Sequence, residues 1–128
     1  MRVSAPFKDW DKEGGLFEFL STSFDLYEAK NILRSRPRPS TKIKVRDWIH
    51  FLPFKEERGL RFTVEVDWKK AQSEEVDLTV PVIVARISRD CALVIDGWHR
   101  IAKGHCTSGC LTLPAVVLTV PETRKVRV

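Results

Sequence analysis

The stretch VIDGWHRIAKGHC, Val94 to Cys106, decides how this chain is read. An apolar run ends at Asp96, and five consecutive positions then carry an acid, a glycine, an indole, an imidazole and a guanidinium, Asp96-Gly97-Trp98-His99-Arg100. Ile101, Ala102 and His105 follow at helical spacing, which predicts a helix over Trp98–Cys106 with Gly104 as a weak point near its end. A strand therefore gives way to a helix through a tight turn at Gly97, a residue that also lets a ligand approach the backbone closely.

A helix that opens in this way presents unbonded N–H groups and about half a positive charge, and so offers a site for an anion. Arg100 lies in the first turn, where it can make a bidentate contact with a phosphate, and His99 adds a hydrogen-bond donor or a proton carrier. Two adjacent basic groups on an opening turn oppose the helix dipole unless something negative faces them. Asp96 either caps the helix or helps to hold a metal ion beside a nucleotide. Trp98 is either a packing residue or a stacking platform.

Working outward, Leu113-Pro114-Ala115-Val116-Val117-Leu118-Thr119-Val120 reads as a final apolar strand. Upstream, Leu78 to Ile87 is dense in branched residues and reads as a buried strand with Pro81 at its start or on an edge. Ser88-Arg89-Asp90 turns the chain, and Ala92-Leu93-Val94-Ile95 returns as the second strand of a hairpin. Leu60 to Asp67 alternates apolar and polar residues after a break at Pro53 and Gly59, as a strand with one solvated face does. Trp68 to Gln72 reads as a short helix with Asp67 as N-cap. Ile43-Lys44-Val45 is either a strand or the entrance to a helical turn through Phe51. Leu26, Tyr27, Ala29 and Leu33 mark one face of a helix that stops at Pro37. Residues 1–22 are poorly patterned apart from Leu16-Phe17-Phe19-Leu20. The expected fold is a compact mixed α/β domain, a small mixed sheet with flanking helices, over residues 42–128. Residues 1–41 are expected to form a helical extension and a basic, proline-containing connector.

Composition sets the outer limits. The chain has 128 residues, 43% hydrophobic and 30% charged, which suits one domain with a real core. No apolar run approaches the roughly 18 residues that span a bilayer, and the N-terminus MRVSAPFKDWDKEGG lacks a secretory signal's apolar stretch. A cytoplasmic protein without membrane contact is expected. Cys91, Cys106 and Cys110 form an odd set that reads as small buried thiols, not a disulfide framework, and no metal site is assigned to them. The net charge is +5, and Lys30, Arg34, Arg36, Arg38, Lys42, Lys44 and Arg46 follow one another with no acid between them. That run is either a solvated connector or an electrostatic footprint for nucleic acid. A second cluster, Arg124, Lys125 and Arg127, closes the chain.

Leu93-Val94-Ile95-Asp96-Gly97-Trp98-His99-Arg100-Ile101-Ala102, with Leu113-Pro114-Ala115-Val116-Val117-Leu118 after a short loop, resembles the signature segment of the ParB/sulfiredoxin superfamily. The resemblance covers about residues 77–119. It implies a compact α/β fold that binds nucleotide phosphates at this helix N-terminus through Gly97, Trp98, His99 and Arg100. Sulfiredoxins carry a cysteine where Trp98 stands, which speaks against sulfinic-acid reduction. Partitioning ParB proteins carry two arginines in the turn and a following DNA-binding domain, where this chain has His99 and ends at Val128. The ParB-like serine kinases need a carboxylate that activates the acceptor hydroxyl, for which Glu65, Asp67 and Asp77 are candidates.

Two functions follow. One is a Mg²⁺-dependent nucleotide-using kinase or NTPase, taking ATP or CTP, with Asp96, His99 and Glu65 as catalytic candidates. The other is a non-catalytic module that associates with DNA through Lys30 to Arg46, or with a protein.

Overall fold

The computed structural model describes residues 16–19, 22–52, 64 and 66–128. A short hairpin opens it, β1 (Leu16–Phe19) against β2 (Thr22–Asp25), followed directly by helix α1 (Leu26–Ser35). Strand β3 (Thr41–Lys44) leads into two single turns of 3₁₀ helix, Val45–Asp47 and Ile49–Phe51, so the ambiguous Ile43-Lys44-Val45 segment ends a strand and begins a turn. Helix α2 (Trp68–Ala71), strands β4 (Val82–Ser88) and β5 (Cys91–Asp96), helix α3 (Trp98–Cys106), strand β6 (Thr112–Leu118) and helix α4 (Val120–Val126) complete the order. Among the described residues no helix is long and apolar enough to cross a membrane.

The principal sheet has the order β3-β6-β4-β5. β3 pairs antiparallel with β6, β6 parallel with β4, and β4 antiparallel with β5 across the turn at Arg89 and Asp90. This is the expected mixed sheet with flanking helices. Pro81 stands just before β4. Pro114, which lacks an N–H, sits one residue before pairing with β4 begins, where β6 has β3 alone beside it. The strand expected over Leu60–Asp67 lies largely outside the described residues. Of that stretch, Val64, Val66 and Asp67 are described and belong to no strand; the Val64 N–H donates to the Phe51 carbonyl at 2.8 Å.

Alternation along the strands feeds two cores, one on each face of the sheet. Ile83, Ala85, Ile95, Val116 and Leu118 pack with Phe24, with Ala29 and Leu33 of α1, and with Val126 of α4. Val82, Val84, Val94, Leu113 and Ala115 pack on the other face with Ala71 of α2 and with Trp98, Ile101 and Ala102 of α3. Burying both faces of β4 explains its unbroken apolar start, as in any sheet covered on both sides.

Two sequence expectations are corrected here. The boundary near residue 41 does not separate an extension from the domain: Phe24, Ala29 and Leu33 are fully buried in the shared core, and the C-terminal Val128 N–H donates to the Ser23 carbonyl. The final strand also ends at Leu118, and the chain enters α4. Thr119 accepts from the Glu122 N–H while the Glu122 side chain accepts from the Thr119 N–H, a capping box with proline in the first helical turn. That Thr-x-x-Glu spacing was legible in the sequence.

The same Glu122 fixes the supposed connector. Arg38 donates to both carboxylate oxygens of Glu122, at 2.8 Å for the Nη2 contact, and to the Val117 carbonyl at 3.0 Å. Glu122 is almost fully buried, and the Arg38 bond holds its carboxyl down to about 2 against the opposing effect of burial. A depressed carboxyl stabilises the fold above the unfolded value of 4.5, and that contribution is lost as pH falls from there through about 2. Arg38→Ala is expected to lower stability by about 3 kcal/mol, because it leaves a buried carboxylate with only the exposed Arg36, 3.9 Å away, as its cation. Glu122→Gln is expected to flatten the stability loss between these pH values. Urea unfolding from pH 7 down to 2 measures both.

Candidate functional site at the β5–α3 turn

The turn is built by contact. Gly97 has φ of 103° and serves as N-cap of α3, and a Cβ placed there would lie 2.5 Å from Cγ1 of Val82. Both the backbone angle and the close packing against β4 demand glycine. Arg100 and Ile101 donate their backbone N–H groups to the Gly97 carbonyl, and no side chain caps the helix. Asp96, read as a cap or metal-holding group, does not cap α3; its Oδ2 meets Arg100 Nη2 at 3.3 Å. With φ positive at Gly97 the chain turns away before the Asp96 carboxylate can reach the first amides.

Arg100 has a further task. Its Nη1 donates to the carbonyls of Val80 and Pro81 at 2.9 and 2.7 Å, so the guanidinium ties the approach to β4 onto α3. The negative partner that two cations on an opening turn call for is thus supplied in part by the protein itself. His99 meets the same demand by neutrality. Burial, and then the nearby Lys70 charge, hold its pKa below the ordinary 6.5, against the opposing pull of Asp67. Its Nε2 accepts the Asp67 backbone N–H at 3.2 Å, which assigns the imidazole proton to Nδ1. Asp67 is the expected N-cap of α2, with Oδ1 accepting from the Lys69 and Lys70 N–H groups.

Trp98 belongs to the core. It is 4% exposed, its Nε1 donates to the Val94 carbonyl, and its ring centroid lies 6.5, 6.0 and 5.8 Å from those of Phe17, Trp48 and Phe51. Only its backbone is left to serve a ligand; the stacking-platform reading of the indole is overturned. Glu65 lies outside the described residues. The cysteines also depart from expectation: Cys91 and Cys106 are exposed and Cys110 half-buried, all as free thiols. Residues at the chain surface on a hairpin tip and a helix end have no core to enter.

A cleft of about 500 Å³ opens at this end of the sheet, within the range of small-molecule sites. Asp96, Gly97, His99 and Arg100, the residues singled out in the sequence, line it. Lys30 from α1, Lys70 from α2, and Glu74, Glu75, Val76, Asp77 and Val80 from the loop before β4 complete it. The cleft therefore draws on both helical layers. Lys103 of α3 donates to the Ser73 and Val76 carbonyls at 2.9 and 2.7 Å and holds that loop in place. Asp77 is locked as well: Oδ1 accepts from the Thr79 hydroxyl and the Thr79 N–H, which keep its carboxyl below the usual range. Sequence alone missed Lys30 as a site residue because it stood in a basic run; Lys70, Glu74 and Glu75 had no motif around them.

Among the described residues no group of three or more His, Cys, Asp or Glu side chains is arranged to hold a metal ion. The hydrogen bonds of Asp77 run through Oδ1 and that of Asp96 through Oδ2. Comparison with protein-family models, with curated proteins and with solved structures finds no match to this chain.

Gly97→Ala is expected to cost at least about 2 kcal/mol of stability, from a strained φ and the collision with Val82, as read by thermal or urea unfolding. His99, with a depressed pKa, contributes stability above 6.5 that is lost as pH falls through its folded value. Melting temperatures of the wild type are therefore expected to fall faster between pH 7.5 and 5 than those of His99→Gln.

Proposed function

We propose that the chain is a phosphate-binding domain of the ParB/sulfiredoxin type and that its cleft takes a Mg²⁺-bound nucleotide, ATP or CTP. The observation that carries this reading is the position of the cleft: the uncapped first turn of α3 opens into it beside Lys30, Lys70 and Arg100. The phosphates would lie against the amides at Trp98 and His99 and against these cations. Asp77 and Asp96, which line the cleft, are the carboxylates that would hold Mg²⁺ arriving with the phosphates, and the ion would supply charge neutralisation there. The resemblance of Leu93–Ala102 to the superfamily's signature turn supports the same ligand.

For catalysis, His99 could accept a proton only once Nε2 gives up the Asp67 N–H, so its part as a base would require that bond to open when a ligand enters the cleft. Transfer of the γ-phosphoryl group to an acceptor hydroxyl or to water is the reaction such a site would run. A second reading, a nucleic-acid module, draws on exposed Lys42 and Lys44 of edge strand β3 and exposed Arg46 beyond it. That reading predicts affinity for DNA that falls steeply with salt.

Calorimetric titration with ATP, CTP, ADP and GTP in the presence of Mg²⁺, with assay of phosphate release, tests the proposal. Lys70→Ala is the cleanest variant, since Lys70 is exposed and carries no core contact; it is expected to weaken nucleotide binding by about fivefold to tenfold. Arg100→Ala is expected to lose binding and also stability, because the Val80 and Pro81 carbonyls lose their donor. Absence of any nucleotide binding by the wild type would overturn the proposal.

A further inference from the structure

We infer that the edge of β3 and the groove at its end form a docking surface for an acidic, extended peptide segment of a partner protein. The segment adds to the principal sheet beside β3 and seats one branched apolar side chain against Leu111. This surface lies at the opposite end of α3 from the β5–α3 cleft, so the inference stands whatever that cleft binds.

β3 closes one side of the principal sheet, with β6 as its neighbour. The Val45 N–H donates to the Leu111 carbonyl at 3.1 Å, and in the same register Ile43 stands opposite Leu113 and Thr41 opposite Ala115. Hydrogen-bonded pairs alternate along an antiparallel ladder, so the odd-numbered residues bond to β6, and the N–H and C=O groups of Lys42 and Lys44 point away from it. Among the described residues no strand takes them up. Extended peptides pair with such an edge: main-chain hydrogen bonds give affinity, and a side-chain pocket gives specificity.

Past Lys44 the edge runs into a groove of about 400 Å³, formed by Val45, Arg46 and Ile49 together with His105 of α3 and Leu111 before β6. Leu111 is 78% exposed, the most exposed large hydrophobic side chain among the described residues. Charge chooses the occupant. Lys42, Lys44 and Arg46 are exposed, and no carboxylate lines the groove; Asp47, next in the chain, stays outside it. Lys42 and Lys44 share one face of the strand, so acidic residues at every second position of a partner strand would face both. A second copy of this chain laid along β3 would instead bring lysine beside lysine, which opposes self-pairing. A nucleic-acid backbone would match the cations but leave the apolar groove unused, and no aromatic ring lines it for a base to stack on.

Short random peptides displayed on phage and selected on the immobilised full chain, then synthesised and titrated by fluorescence anisotropy, test the inference. The expected winners carry acidic residues at alternate positions and one leucine, isoleucine or valine. Their affinity is expected to fall by about tenfold in Leu111→Ser and in Lys44→Glu, exposed positions where substitution leaves the core intact. Strand addition leaves a further mark that needs only the wild-type chain: N-methylation of alternate peptide amides abolishes binding, and methylation of the intervening ones is tolerated. No enrichment, winners without acidic residues, affinity unchanged in either variant, or equal tolerance of methylation at every amide would overturn the inference. Duplex DNA whose binding is weakened by Lys44→Glu but not by Leu111→Ser, with no acidic peptide selected, would assign the surface to nucleic acid and overturn it too.

Discussion

The close approach of Gly97 to Val82 is the constraint on which the candidate site depends. With 2.5 Å between the place of a Cβ and Val82 Cγ1, β5 can turn into α3 only through glycine, and the turn is pressed against the start of β4. That contact sets where α3 begins, and so where its first amides point. It also brings the approach to β4 within reach of Arg100, which fastens the Val80 and Pro81 carbonyls to the helix. A side chain at position 97 would push α3 away from the sheet, and the cleft would lose its floor and its arginine together.

Arg100 consequently joins folding to any chemistry at this site. A guanidinium has five donors in a fixed fork, and here carbonyls and Asp96 hold it in place, so that a phosphate would meet an arginine already oriented. His99 is prepared differently. Burial keeps it neutral, and the Asp67 N–H fixes its tautomer, so the two adjacent basic residues place a single full charge at the helix start. Acidic residues balance the cations across the cleft. On the reading proposed above, a ligand that brings both phosphate oxygens and a divalent cation would suit that pattern, whereas a bare nucleic-acid backbone would meet repulsion from Glu74, Glu75 and Asp77.

Much of this architecture is legible in local sequence. The strand–Gly–helix passage, the hairpin at Arg89 and Asp90, the cap at Asp67 and the helix after Asp25 each follow from residues within a few positions of one another. What escapes is what depends on distant partners. Residues 22–41 look like an extension until Phe24 and Leu33 are seen in the core and Arg38 on Glu122, 84 positions away. Trp98 looks available for stacking until Phe17, Trp48 and Phe51 surround it. The site is legible in the same measure: Asp96, Gly97, His99 and Arg100 are neighbours in the chain, while Lys30 and Lys70 reach the cleft only through the packing of α1 and α2.

The most direct measurement is a titration of ¹⁵N-labelled protein with Mg²⁺-ATP and Mg²⁺-CTP, followed through the backbone amide resonances. Saturable shifts centred on Gly97, Trp98 and His99, with smaller ones at Lys30 and along residues 74–80, are expected if phosphates sit at the start of α3. Amides at this turn that stay unmoved at millimolar nucleotide, or shifts confined to β3 and Arg46, would contradict it.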